Sequence, residues 1–186
     1  MAEATILLSR AASIVQLVGV LAFLVASVWL SAVDIVRRRL PNRLLARLTA
    51  LTLAPLVIGC LIRLFGAGRA LALEDLLRML GGAALLFAFF AVLWSASPRS
   101  FGGGDVKVAP LVGGVLGFVS GFWAVIVCAA VAFACAAIWG AVRRGAEPSG
   151  NGTEPRTVPF AVCLFAGAWV VILAFPFVVR ALAPAA

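Results

Sequence analysis

The 186-residue chain is 65% hydrophobic and 12% charged, where a soluble domain is roughly 45–50% apolar and about 25% charged, so its outer surface is one that faces lipid. Its net charge of +8 does not point to nucleic acid, because the arginines stand at the ends of apolar runs instead of over a soluble face among exposed aromatics. Histidine is absent, which removes Ser-His and Cys-His catalysis and every His-ligated metal site.

A membrane-spanning helix needs about 20 mainly apolar residues, and six stretches qualify in chain order. The first covers 14–33. Its apolar run exceeds the roughly 7–15 residues of a signal-peptide core, and Ser27-Val28-Trp29 offers no clean small-x-small cleavage site, so it is expected to remain as a helix. The second covers 44–64, with Arg47 and Arg63 near its ends, where long side chains snorkel to the interface. The third covers 76–96. The apolar stretch 106–142 is too long for one span, and Gly117, Ser120 and Gly121 offer a break. We divide it into a fourth and a fifth helix near Ser120. The sixth covers 158–179. The expected fold is therefore all-α: a single polytopic membrane domain over 1–186 with about six transmembrane helices. Gly113, Gly114 and Gly117 suit close helix packing in lipid. The segment 143–157, RRGAEPSGNGTEPRT, reads as a flexible loop.

Charge sets the expected orientation. With six spans, Arg37, Arg38, Arg39, Arg43, Arg47, Arg99, Lys107, Arg143, Arg144 and Arg156 fall on one side. Arg10, Arg63, Arg69, Arg78 and Arg180 fall on the other. The positive-inside rule then makes the first side cytoplasmic and puts both termini outside. The cysteines Cys60, Cys128, Cys135 and Cys163 all lie in apolar runs and form no C-x-x-C pair, so they read as small core residues and not as metal ligands.

Of the seven acidic residues, Glu3, Glu74, Asp75, Glu147 and Glu154 fall at a terminus or in loops. Asp34 ends the first helix and Asp105 precedes the fourth. The chain crosses the membrane twice between them, so both belong to the cytoplasmic side. Two carboxylates at one depth can approach, and a close pair cannot easily both ionise. One then holds a proton while the other acts as base toward a shared water. The alternatives at this level are a surface pairing of Asp34 with Arg37 or Arg38 one turn on, and a plain loop role for Asp105. Gly102, Gly103 and Gly104 permit positive φ and close backbone approach, and they leave room for a substrate strand beside Asp105. They lack the spacing of a phosphate-binding P-loop.

The segment Phe101-Gly102-Gly103-Gly104-Asp105-Val106-Lys107 resembles the G-x-G-D-x-K motif of type IV prepilin peptidases, which are G-x-G-D aspartic membrane proteases. Asp34, followed by Pro41-Asn42, is similar to that family's first aspartate and its Pro-Asn pair. Val158-Pro159-Phe160-Ala161 is similar to its Pro-Phe entry to the last helix. The resemblance implies catalytic roles for Asp34 and Asp105. It implies supporting roles for Gly102, Gly103, Gly104, Lys107, Pro41, Asn42, Pro159 and Phe160, with Asn42 a candidate cap of the second helix. It also implies a prepilin or pseudopilin substrate cut at the cytoplasmic face of the bacterial inner membrane, with membrane lipid as a partner, no nucleic acid, and no metal or organic cofactor. Long members carry paired C-x-x-C motifs linked to methylation. The chain looks like the short members of tight-adherence (Flp) pilus systems, and methyltransferase activity is not expected. Two other readings remain open on the residues alone: a Ser-Lys peptidase using Lys107 with Ser97 or Ser100, and a non-enzymatic assembly or transport component.

Overall fold

The protein is described by a computed structural model that covers residues 2–37, 40–65, 68–97, 103–145 and 160–182. Every described element is an α-helix: α1 (Ala2–Arg37), α2 (Asn42–Leu64), α3 (Arg69–Ala96), α4 (Gly103–Ser120), α5 (Phe122–Gly145) and α6 (Phe160–Leu182). The helices stop where the backbone cannot continue. Residues before a proline avoid the helical region, and Leu40-Pro41 separates α1 from α2, with Pro41 extended at φ −64°, ψ 125°. Gly121 separates α4 from α5 at φ +80°, where its N–H caps the Leu116 and Gly117 carbonyls at 3.0 and 3.2 Å. A β-carbon would strain that left-handed turn.

Five helices are long and apolar enough to cross a membrane: α1, α2, α3, α5 and α6. The chain is a multi-pass membrane protein. The remaining helix, α4, differs from the other five in kind. With 18 residues including Asp105 and Lys107, α4 is about 27 Å long, short of the roughly 30 Å hydrocarbon core. It is also the interior helix, packed against α2, α3, α5 and α6, with Val108, Ala109, Leu111, Val112, Val115 and Leu116 fully buried. Its antiparallel seam with α3 is built on glycine. A β-carbon at Gly82 would sit on the Gly113 carbonyl, one at Gly113 on the Gly82 carbonyl, and one at Gly117 on the Arg78 carbonyl. Of the small residues expected to pack closely, Gly113 and Gly117 do so against Gly82 and the Arg78 carbonyl, whereas Gly114 faces the Leu53 side chain.

The hairpin α1–α2 and the antiparallel pair α5–α6 complete the bundle. Gly19 meets Leu56 and the Thr52 carbonyl, and Gly59 meets Gln16. On the other side Cys128 Sγ donates to the Leu164 carbonyl at 3.6 Å. The bundle closes through α1 and α6, where Phe23 packs on Phe165 and Trp169 with ring centroids 6.0 and 5.6 Å apart. There Trp169 Nε1 donates to Ser27 Oγ at 3.0 Å.

Three boundaries move most. Helix α3 begins at Arg69 rather than at 76, so Glu74 and Asp75 lie within it and not in a loop: charged residues end the apolar run without ending the helix. Helix α1 begins at Ala2 rather than near 14 and has 36 residues, about 54 Å. Apolarity locates only the part that lipid must cover, and 2–13 continues the helix past it. Helix α5 runs to Gly145, so 143–145 of the expected loop over 143–157 are helical; 146–157 lies outside the described residues.

Candidate functional site

One rim of the bundle gathers the end of α1, the starts of α2, α4 and α6, and the end of α3. Asp34 lies on the inward stripe of α1. Phe23, Ala26 and Leu30 on that stripe are fully buried, whereas Leu24, Val25, Val28 and Trp29 on the other face are exposed. Asp34 comes one turn after Leu30 and so points inward. The backbone N–H of Ala161, in the first turn of α6, donates to its carboxylate. The second oxygen, Oδ2, is buried without a hydrogen-bond partner among the described residues. Arg37 makes no ion pair with it among those residues, and Arg38 and Arg39 lie outside them.

Asp105 occupies the first turn of α4 and is partly buried. A carboxylate there complements the helix dipole. Its charge lies within electrostatic reach of the Cys163 thiol, half a turn along α6 from Ala161. Both aspartates thus stand at the end of the bundle where α6 begins.

The supporting residues sort themselves by geometry. Lys107 Nζ donates to Asn42 Oδ1 at 2.8 Å, linking α4 to α2. Asn42 therefore does not cap α2: the N-cap position is Pro41, and no side chain caps it. Gly103 and Gly104 are the first two residues of α4, so positive φ is not their role. A β-carbon at Gly103 would come no closer than 3.9 Å to Trp94 Nε1, and one at Gly104 no closer than 3.9 Å to Leu40 Cδ1. Close packing does not require either glycine. Phe160 is buried between α3 and α5, with ring centroids 5.5 Å from Phe90 and 5.1 Å from Phe133. Gly102 and Pro159 lie outside the described residues, as does Ser100.

Two other acidic residues, Glu74 and Asp75, are engaged elsewhere. At the opposite rim Asp75 pairs with Arg63 at 3.5 Å, Arg63 also donates to Ser13 Oγ at 3.1 Å, and Glu74 pairs with Arg78. All four cysteines are free thiols, three of them buried, and among the described residues no three Cys, Asp or Glu side chains gather as metal ligands would. An apolar groove of about 690 Å³ runs along the outward face of α1 from Leu24 to Arg37. It holds neither aspartate.

The contribution of α6 was hidden in the sequence. Ala161 acts through a backbone N–H, which no side-chain pattern reveals; the sole pointer was the Val158-Pro159-Phe160 entry beside it. No curated protein and no solved structure matches the chain. The model of the type IV leader peptidase family matches residues 21–141, a stretch containing Asp34, Asn42, Asp105 and Lys107. With this match and its apolar helices, the chain belongs to the type IV leader peptidase family, whose proteases act on prepilin-type substrates.

Proposed function

We propose that the protein is an aspartic endopeptidase that removes the leader from prepilins or pseudopilins, with Asp34 and Asp105 as its catalytic pair. The observation that carries this reading is that α1 ends and α4 begins at one rim of the bundle, which brings Asp34 and Asp105 to the same end as the start of α6, while Glu74 and Asp75 pair with arginines at the opposite rim. An ionised carboxylate takes a proton from the attacking water, and a protonated partner donates to the scissile carbonyl as it becomes tetrahedral. The open space at Gly103 and Gly104 leaves room for an extended substrate backbone beside Asp105. Arginine counting makes the aspartate rim cytoplasmic, so cleavage falls where a basic leader meets the apolar helix of the substrate at the inner membrane. The reaction calls for no metal and no methyl donor.

The Ser-Lys alternative is weaker, because Lys107 Nζ is engaged by Asn42 Oδ1. Co-expression with a prepilin tests the proposal. Asp34→Asn and Asp105→Asn are each expected to slow processing by about 10³-fold or more, the scale of lost acid–base catalysis. Wild-type processing by either variant would overturn the aspartic assignment and favour a non-enzymatic role.

A further inference from the structure

Glycine is a poor helix former, yet Gly103 and Gly104 open α4. Neither has a positive φ to call for it; among the described residues Gly121 alone does. Packing does not call for it either. A β-carbon at Gly103 would meet one neighbour among the described residues, Trp94 Nε1 at 3.9 Å, which is ordinary van der Waals contact. Alanine would fit, so the place of its methyl stands open with an indole N–H beside it.

Trp94 lies in the last turn of α3. The seam puts it there: Gly82 meets Gly113 and the Arg78 carbonyl meets Gly117, and three more turns of this antiparallel pairing bring Trp94 level with the start of α4. The residue is 47% exposed, and its N–H has no acceptor among the described residues. By contrast, Trp169 Nε1 is bonded to Ser27 Oγ. An indole nitrogen donates and does not accept, so the atom it suits is an oxygen, at about 2.9 Å. On the Gly103 side, an oxygen at that distance rests where the β-carbon of any other residue would intrude. Asp105 is two residues on, about 3 Å along the helix axis.

We propose that Trp94 is a substrate-binding residue: its Nε1–H donates to a backbone carbonyl of the prepilin strand, and Gly103 leaves that oxygen its seat. The strand is thereby held beside Asp105. A contact to backbone reads no side chain, so it serves leaders of different sequence. The competing view is that Trp94 is an interfacial anchor, as tryptophans at membrane borders commonly are. An anchor needs no empty place opposite its N–H. The proposal rests on the endopeptidase reading above.

The test uses the full chain in lipid vesicles, with a prepilin-type peptide of basic leader and apolar helix as substrate. Trp94→Phe keeps a ring and removes the N–H. Gly103→Ala keeps the N–H and fills the seat. Each is expected to raise KM about three- to tenfold, the scale of one hydrogen bond, with kcat within about twofold and no fall in melting midpoint. The double variant should go no more than about twofold beyond the stronger single one, because both changes break one contact. A wild-type KM in either single variant, or effects that multiply in the double, overturns the proposal. A second measurement leaves Trp94 and Gly103 in place. In Asp105→Asn protein labelled with ¹⁵N-tryptophan, a saturating amount of the peptide is expected to move the Trp94 indole proton downfield. The indole proton of Trp123, in the first turn of α5 at the opposite rim, should stay where it is. A Trp94 resonance indifferent to the peptide also overturns the proposal. Wild-type cleavage by Asp105→Asn sinks the catalytic assignment itself, while an inactive Asp105→Asn beside a wild-type KM in Trp94→Phe and Gly103→Ala sinks only the role of Trp94.

Discussion

Lys107 and Asn42 stand 65 positions apart in the chain and 2.8 Å apart across α2 and α4. The bond joins the turn that carries Asp105 to the start of α2, just beyond the end of the helix that carries Asp34. Both side chains are exposed, so the bond is worth about 0.5–1 kcal/mol. Lys107→Met is therefore expected to slow prepilin processing by only about two- to fivefold. Adding Asn42→Ala should slow it little further, because the two changes break one interaction. Abolished processing in Lys107→Met would instead favour the Ser-Lys reading. At this scale the sequence was informative about side chains that carry charge. Asp34, Asp105 and Lys107 are singled out by how few charges an apolar chain holds. It was silent on who meets whom: Asn42 reads as a cap by position, and only the folded chain shows its oxygen turned toward Lys107.

Helix α6 works as a lever with its fulcrum at Phe160. That ring belongs to a cluster with Phe90 and Phe133, and truncating it should loosen the first turn that holds Asp34. In lipid the hydrophobic transfer term is small, and the loss is mainly packing. We expect Phe160→Ala to cost about 2 kcal/mol, read as a lower melting midpoint in detergent. Because Ala161 moves with the turn, processing should fall as well. Phe160→Leu, which fills more of the space, should lie between the variant and the wild type in both assays. The existence of this helix follows from its unbroken apolar run. Its partners do not, since an apolar face in a membrane protein looks the same whether it meets lipid or α3 and α5. For the same reason the start of α1 at Ala2 was missed. Hydropathy marks what the bilayer covers, and helical backbone does not stop there.

Across the whole molecule, order comes from which helix is enclosed. The six helices and the shared rim of the two aspartates are readable from run lengths and crossing parity. The enclosure of α4 is not, although its glycines hint at it. The seam of Gly82, Gly113 and Gly117 brings backbone against backbone. A side chain there has nowhere to go, because the obstacle is a carbonyl and not a flexible side chain. Gly113→Ala should cost about 1–3 kcal/mol and lower the melting midpoint, and Gly113→Leu should prevent a folded product from accumulating. At Gly121 any residue with a β-carbon should also destabilise, by about 1 kcal/mol, through its left-handed φ of +80°. The seam also bears on how the protein is made. Carrying Asp105 and Lys107 in a helix of only 18 residues, α4 is the helix least able to leave the translocon for lipid unaided. Helix α3, synthesised just before it, is a long apolar span with a glycine facing its carbonyls. The two would enter the bilayer together as a hairpin, and the turn that holds Asp105 would arrive on a partner already in place.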